Sequence, residues 1–160
     1  MNPGFSYSAR NPSPPYNAIM RYLAIDLGEK RTGLAVGDDG TGIASPAGVI
    51  NTAGADERIR QIGLAIEEHG PDALVLGAPF NMDGSDSPGV TRAKAFAAEM
   101  TQRFGLPVHL FDERLTSVEA DEQMAQSGLT HGQKKARRDA LAAAAILRGF
   151  LARLRQDKQG

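Results

Sequence analysis

Tyr22-Leu23-Ala24-Ile25-Asp26-Leu27-Gly28-Glu29-Lys30-Arg31-Thr32-Gly33-Leu34-Ala35-Val36 is the stretch that decides the fold of this chain. Leu23, Ile25 and Leu27 alternate with smaller residues and predict a central strand that begins at Arg21. Gly28-Glu29-Lys30 turns the chain tightly, and residues 32–36 predict a second strand. A glycine-rich phosphate loop needs a helix N-terminus directly after it. Gly28-x-x-x-x-Gly33 runs into a strand instead, so a dinucleotide site of that kind is not expected. Asp38-Asp39-Gly40 turns the chain again into a third strand near residues 42–50, which completes an antiparallel meander.

Beyond the meander the period changes. Residues 55–69 place Ile59, Ile62, Ala65 and Ile66 on one helical face, and Gly70-Pro71 stops that helix. Ala73-Leu74-Val75-Leu76-Gly77 reads as a buried strand, followed by the loop Pro79-Phe80-Asn81-Met82-Asp83-Gly84-Ser85. A helix over 90–104 and a strand over 108–111 come next. Thr116 and Glu119 are spaced as a capping box for a helix over 116–126, and Gly128 to Gly132 break it. In a last helix, over about 133–155, Ala140, Ala143, Leu147, Phe150, Leu151 and Leu154 mark the core-facing stripe. Alternating strands and helices predict right-handed crossovers and parallel pairing. The expected fold class is therefore α/β: a mixed five-stranded sheet, three antiparallel strands followed by helix–strand crossovers, in the order of a ribonuclease H-like fold. Residues 1–20, rich in Pro, Ser and Asn, are expected to be a disordered leader. Residues 21–155 are expected to form the domain and 156–160 a flexible tail.

Composition narrows the function classes. A hydrophobic content of 41% and a charged content of 23% are those of a soluble globular domain. The absence of Cys excludes disulfides, a thiolate zinc site and a cysteine nucleophile. No apolar run is long enough to cross a membrane, and a cytoplasmic location is expected. The net charge of −1 hides an uneven distribution: from His131 to Gly160 eight Lys and Arg face only two acids. Local potential, more than the sum, decides whether a polyanion is attracted; the plain alternative is a solvated helix face with a basic tail.

Three acids stand where acids are costly. Asp26 lies inside the first apolar strand, Asp112-Glu113 closes Val108-His109-Leu110-Phe111, and Asp139 interrupts the Ala- and Leu-rich last helix. A carboxylate in apolar surroundings must be paired, hydrogen-bonded or bound to a cation. Asp26, Glu113 and Asp139, drawn from distant parts of the chain, make a candidate divalent-metal and catalytic site. Successive side chains of an extended chain point apart, so one of Asp112 and Glu113 is expected to hold metal while the other caps a loop or pairs with Arg114; Glu113, just past the strand's C-terminal end, is the favoured ligand. The plain alternatives are a turn cap for Asp26 and an i,i+4 pair with Lys135 for Asp139. Lys30, Arg31 and Arg114 adjoin these acids, and Lys134 and Arg138 form an i,i+4 pair; all five are candidate phosphate contacts. Asn81, in the loop after the fourth strand, is a candidate substrate contact whose alternative is an Asx turn. His69, His109 and His131 show no zinc spacing.

Four segments taken together, YLAIDLGEKRTGLAVGD, DALVLGAPFNMDGSDS, FDERLTSVEADEQM and KKARRDALAAAAILRGFL, resemble the YqgF/RuvX family, bacterial pre-16S ribosomal RNA nucleases also called Holliday junction resolvases. The resemblance runs in order from Tyr22 to about Leu154. It implies a ribonuclease H-like fold, phosphodiester cleavage dependent on Mg²⁺ or Mn²⁺, and maturation of the 5′ end of 16S rRNA. The implied partner is pre-16S rRNA or the pre-ribosomal small subunit, with the protein a monomer or weak homodimer. The family's core acids map by motif onto Asp26, Glu113 and Asp139. Ala78-Pro79-Phe80 departs from the family's frequent Leu-Pro, and the leader is additional. Two other functions fit the same residues: resolution of Holliday junctions in branched DNA, which favours a dimer, and a non-catalytic, ribosome-associated RNA-binding role.

Overall fold

The computed structural model describes residues 18–81, 83, 85–115 and 131–159. Strands β1 (Arg21–Leu27), β2 (Arg31–Asp38) and β3 (Ala44–Asn51) form the antiparallel meander. Helix α1 (Ala55–His69) leads to β4 (Ala73–Ala78), and α2 (Pro88–Phe104) leads to β5 (Val108–Asp112). A single 3₁₀ turn, Glu113–Leu115, closes β5, and α3 (His131–Gln159) ends the fold. The helix expected over 116–126 lies outside the described residues. The sheet order is β3-β2-β1-β4-β5, with β4 parallel to both β1 and β5. This is the mixed sheet expected from the sequence, with both crossovers made by helices.

Local chemistry sets the helix limits. Gly70 and Gly105 close α1 and α2 in left-handed conformation, each donating its N–H back to the preceding turn. Ser87 caps α2 by accepting the Val90 N–H at 3.1 Å, and Pro88 opens the helix where its missing N–H costs nothing. That cap starts α2 two residues ahead of the expected Val90. Helix α3 likewise extends past its expected ends, to His131 and Gln159.

Alternation along each strand sends side chains into two cores. Leu23, Ile25, Leu74 and Leu76 pack on Ile59, Ile62, Val90 and Met100 of α1 and α2. Tyr22, Ala24, Ala35, Ala73 and Val75 face the other way, onto Ala143, Ala144, Leu147, Phe150 and Leu151 of α3. Ala24, Ala35 and Ala73 are small and the facing helix is alanine-rich, so the two backbones approach closely. At Gly33 the approach is closest, and a Cβ there would overlap the carbonyl oxygen of Asp139. Farther along α3, Phe150 packs against the rings of Tyr22 and His109, both at 5.2 Å, and Phe111 at 6.5 Å. One end of α3 is thus seated on glycine and the other on an aromatic cluster.

Candidate active site

The strand alternation that buries Tyr22 and Ala24 under α3 places Asp26 on the same face, at the C-terminal end of β1. Asp26 pairs across the sheet with Gly33, the residue against which Asp139 is seated. His109 and Phe111 of β5 also point toward α3, and Glu113 continues that alternation just past the strand end. Between β1 and β5 lies β4, and its Gly77 leaves the gap open: a Cβ there would stand 3.0 Å from Glu113 Oε2. Asp26, Glu113 and Asp139 therefore arrive at one edge of the sheet, on one face, from three separate elements.

Their electrostatics follow from that crowding. The Asp26 carboxyl is pushed up to about 7, first by burial, then by the charges of Glu113 and Asp139, and by a hydrogen bond to Glu113. Burial also raises Glu113, opposed by the hydrogen bond that Asp26 donates to it. Two carboxyls this close resist ionising together without a compensating charge. Asp139 contributes repulsion to Asp26 while its own Oδ2 accepts a hydrogen bond from Arg31 Nε at 2.8 Å. Among the described residues, no three acids or imidazoles are grouped tightly enough to hold a metal ion as they stand. The chemistry of the donor set nonetheless suits a hard cation. It offers carboxylate oxygens only, and it includes a half-buried pair whose repulsion a cation would relieve.

Asp112 turns away from this cluster. It grips Arg114 through both carboxylate oxygens, with Arg114 Nε at 2.9 Å from each, and its carboxyl lies below the usual range because of that partner. Arg114 also donates to the Asn81 carbonyl, tying the loop after β4 to the end of β5. The Asn81 side-chain amide donates to Ser85 Oγ and to the Asp86 carbonyl, both at 3.1 Å. Asp83 accepts from Ser85 N at 2.9 Å, so Asn81, Asp83 and Ser85 bond among themselves while Arg114 reaches the Asn81 main chain. Lys30 and Arg138 are exposed; the side chain of Lys134 lies outside the described part.

Two contributors escape a reading of the sequence alone. Arg58, from the first turns of α1, donates to the carbonyls of Glu29 at 2.7 Å and Thr52 at 3.1 Å, bracing the turn that carries Lys30 and Arg31. Nothing local marks it for that task. Gly77 carries a weak signal, since a glycine inside an apolar strand often marks a close approach. A groove of about 490 Å³ between Phe80, Leu110, Phe111, Asp112, Phe150 and Leu154 does not include Asp26, Glu113 or Asp139.

Fold and site together define a class: a ribonuclease H-like α/β protein with an acidic cluster where its parallel strands end. The chain belongs to the RuvX family, described as Holliday junction resolvases, whose model matches residues 20–153. A relative from Anaeromyxobacter sp. (strain Fw109-5), named "Putative pre-16S rRNA nuclease", is 40% identical over 132 residues, covering 82% of this chain and 96% of its own. Another of the same name, from Chromobacterium violaceum, is 44% identical over 129 residues, covering 80% and 94%. Among solved structures, the fowlpox virus resolvase in complex with Holliday junction DNA is similar, with a TM-score of 0.53 at 12% identity. The match covers 84% of this chain and 99% of that one. At that identity the likeness concerns the fold alone.

Proposed function

We propose that this chain is a metal-dependent phosphodiester hydrolase that processes the 5′ end of pre-16S rRNA, as an endo- or exoribonuclease. The observation that carries the reading is the hydrogen-bonded pair Asp26–Glu113 with Asp139 beside it, in a chain similar over most of its length to relatives named for that activity. Asp26, Glu113 and Asp139 would hold Mg²⁺ or Mn²⁺, with Asp139 turning from Arg31 to join the pair. A bound cation of this kind lowers the pKa of water and offsets charge on the phosphoryl oxygens. The protein's own part is to supply three hard donors on rigid elements, and cations to the phosphates. Lys30 and Arg31 lead from the turn beside Asp26, and Lys134 and Arg138 lie along α3. Asn81 and Arg114, being bonded to each other, would act together at the far side, where β5 ends. Such contacts hold a backbone in register without reading bases. An open sheet edge admits a polymer, which an enclosed pocket would not.

The family's description as Holliday junction resolvases supports branched DNA as a second substrate reading, and a non-catalytic ribosome-associated role is the third. One experiment separates them: metal-dependent single-turnover cleavage of a pre-16S 5′ precursor, an unrelated RNA and a four-way DNA junction, by wild type and Asp26→Asn. Cleavage of the precursor alone, lost in Asp26→Asn, is expected. Preferential junction cleavage would move the protein to recombination, and RNA binding without cleavage would move it to the third reading. Among the described residues, no helix is long and apolar enough to cross a membrane; the proposed site of action is the cytoplasm. Monomer or weak homodimer is the proposed state.

A further inference from the structure

The ion pair between Arg31 and Asp139 joins residues 108 apart in sequence and connects two otherwise rigid backbones. On one side, contact with Gly33 seats the Asp139 backbone against β2, so the carboxylate moves only by rotating its own side chain. On the other, Arg31 opens β2, and its neighbouring turn is braced through the Glu29 carbonyl by Arg58. The pair is single-pronged, Nε to Oδ2, with Arg31 38% and Asp139 24% exposed. It lacks the two-pronged grip of Arg114 on Asp112. A one-bond pair open to water is inexpensive to break, whereas a forked pair holds its geometry. Arg31 is therefore placed to let go, and Arg114 to hold on.

We infer that Arg31 is a stand-in cation: it holds Asp139 while no divalent ion is bound, and yields that carboxylate to the ion while its own guanidinium turns to the substrate phosphate. The inference rests on the proposed metal site at Asp26, Glu113 and Asp139. In this arrangement the third ligand is kept out of the repulsive Asp26–Glu113 pair until a cation arrives. The charge that kept it out is then freed next to the phosphate that must be held. No covalent step is involved; the exchange is one ion pair for two.

The test separates Arg31 as competitor from Arg31 as mere support. Mn²⁺ binding to the full-length protein, measured by calorimetry without RNA, is expected to tighten about two- to fivefold in Arg31→Gln, the range set by losing a partly exposed ion pair. In parallel, the same variant should bind a pre-16S 5′ precursor more weakly and cleave it more slowly at saturating Mn²⁺. Arg31→Lys, which keeps the charge, should leave Mn²⁺ affinity near wild type. Nitrogen NMR of the Arg31 Nε–H supplies a direct readout: a protected, hydrogen-bonded signal in the cation-free protein that loses protection on saturation with diamagnetic Mg²⁺. A purely supporting role predicts weaker Mn²⁺ binding in Arg31→Gln, and that result, or an Nε–H unchanged by Mg²⁺, overturns the inference while leaving the metal site intact. Absence of Mn²⁺ binding by the wild type, or binding undiminished in Asp26→Asn, overturns the metal site itself and this inference with it.

Discussion

Asn in place of Asp26 keeps the size of the side chain and removes both its charge and its hard anionic oxygen. Cleavage of a pre-16S precursor by Asp26→Asn should fall by at least ~10²-fold, the scale of losing several kcal/mol of transition-state stabilisation. Stability should move the other way. Asp26 titrates near 7 in the folded protein against an ordinary carboxylate value of about 4 when unfolded. Between those values the folded state holds the extra proton, so stability falls as pH rises through the window. The metal-free protein should melt at higher temperature at pH 5 than at pH 8, and Asp26→Asn should flatten the difference. The lowered carboxyls of Glu57 and Asp112 act at more acid pH, where they add stability as pH rises, and leave this window to Asp26 and its partner Glu113, whose carboxyl burial also raises. A wild-type melting temperature that climbed between pH 5 and 8 would contradict the raised carboxyls of Asp26 and Glu113. At this scale the sequence exposes the acids well, since Asp26 and Asp139 stand out in apolar stretches and strand alternation separates Glu113 from Asp112. It does not expose the Arg31–Asp139 pair, because a contact across 108 residues leaves no local pattern.

Elements were easier to read than their contacts. Helix α1 spans Ala55–His69 as its spacing predicts, because Gly70-Pro71 is an unambiguous stop. Helix α2 begins earlier than its apolar periodicity because Ser87-Pro88, a cap and a first-turn proline, carries no apolar signal. What the sequence hides is why α3 lies so close to the sheet, since that depends on Gly33 and Gly77 facing the same helix. Gly33→Ala should therefore lift the start of α3, costing about 1–3 kcal/mol for overpacking in denaturant unfolding. It should also lower cleavage and Mn²⁺ affinity together. Phe150→Ala should cost more stability, about 3–5 kcal/mol for a truncated core aromatic. Measured where both variants remain folded, it should leave Mn²⁺ affinity nearer wild type. If Phe150→Ala impaired the ion site as much as Gly33→Ala does, the two ends of α3 would not act separately.

The whole molecule is slightly acidic, yet eight of its eighteen Lys and Arg lie in its last thirty residues, while Asp26, Glu113 and Asp139 meet where the parallel strands end. Association with RNA should then depend on salt through the basic residues, and chemistry through the acids. Replacing Lys134 and Arg138 together should weaken RNA binding and flatten its salt dependence by up to about 1.4, at ~0.7 per single-strand phosphate contact. Single-turnover cleavage at saturating RNA should change much less. Filter binding across a salt series checks the first part, and an unchanged slope would remove both residues from the phosphate track. The seat of Asp139 on Gly33 has a mechanical consequence as well. Two backbones in direct contact form a hard stop with almost no compressible space. Under moderate hydrostatic pressure the amide signals of Gly33 and Asp139 should therefore hold their positions, so that Asp139 keeps its distance from β2 by main-chain contact and not by side-chain packing.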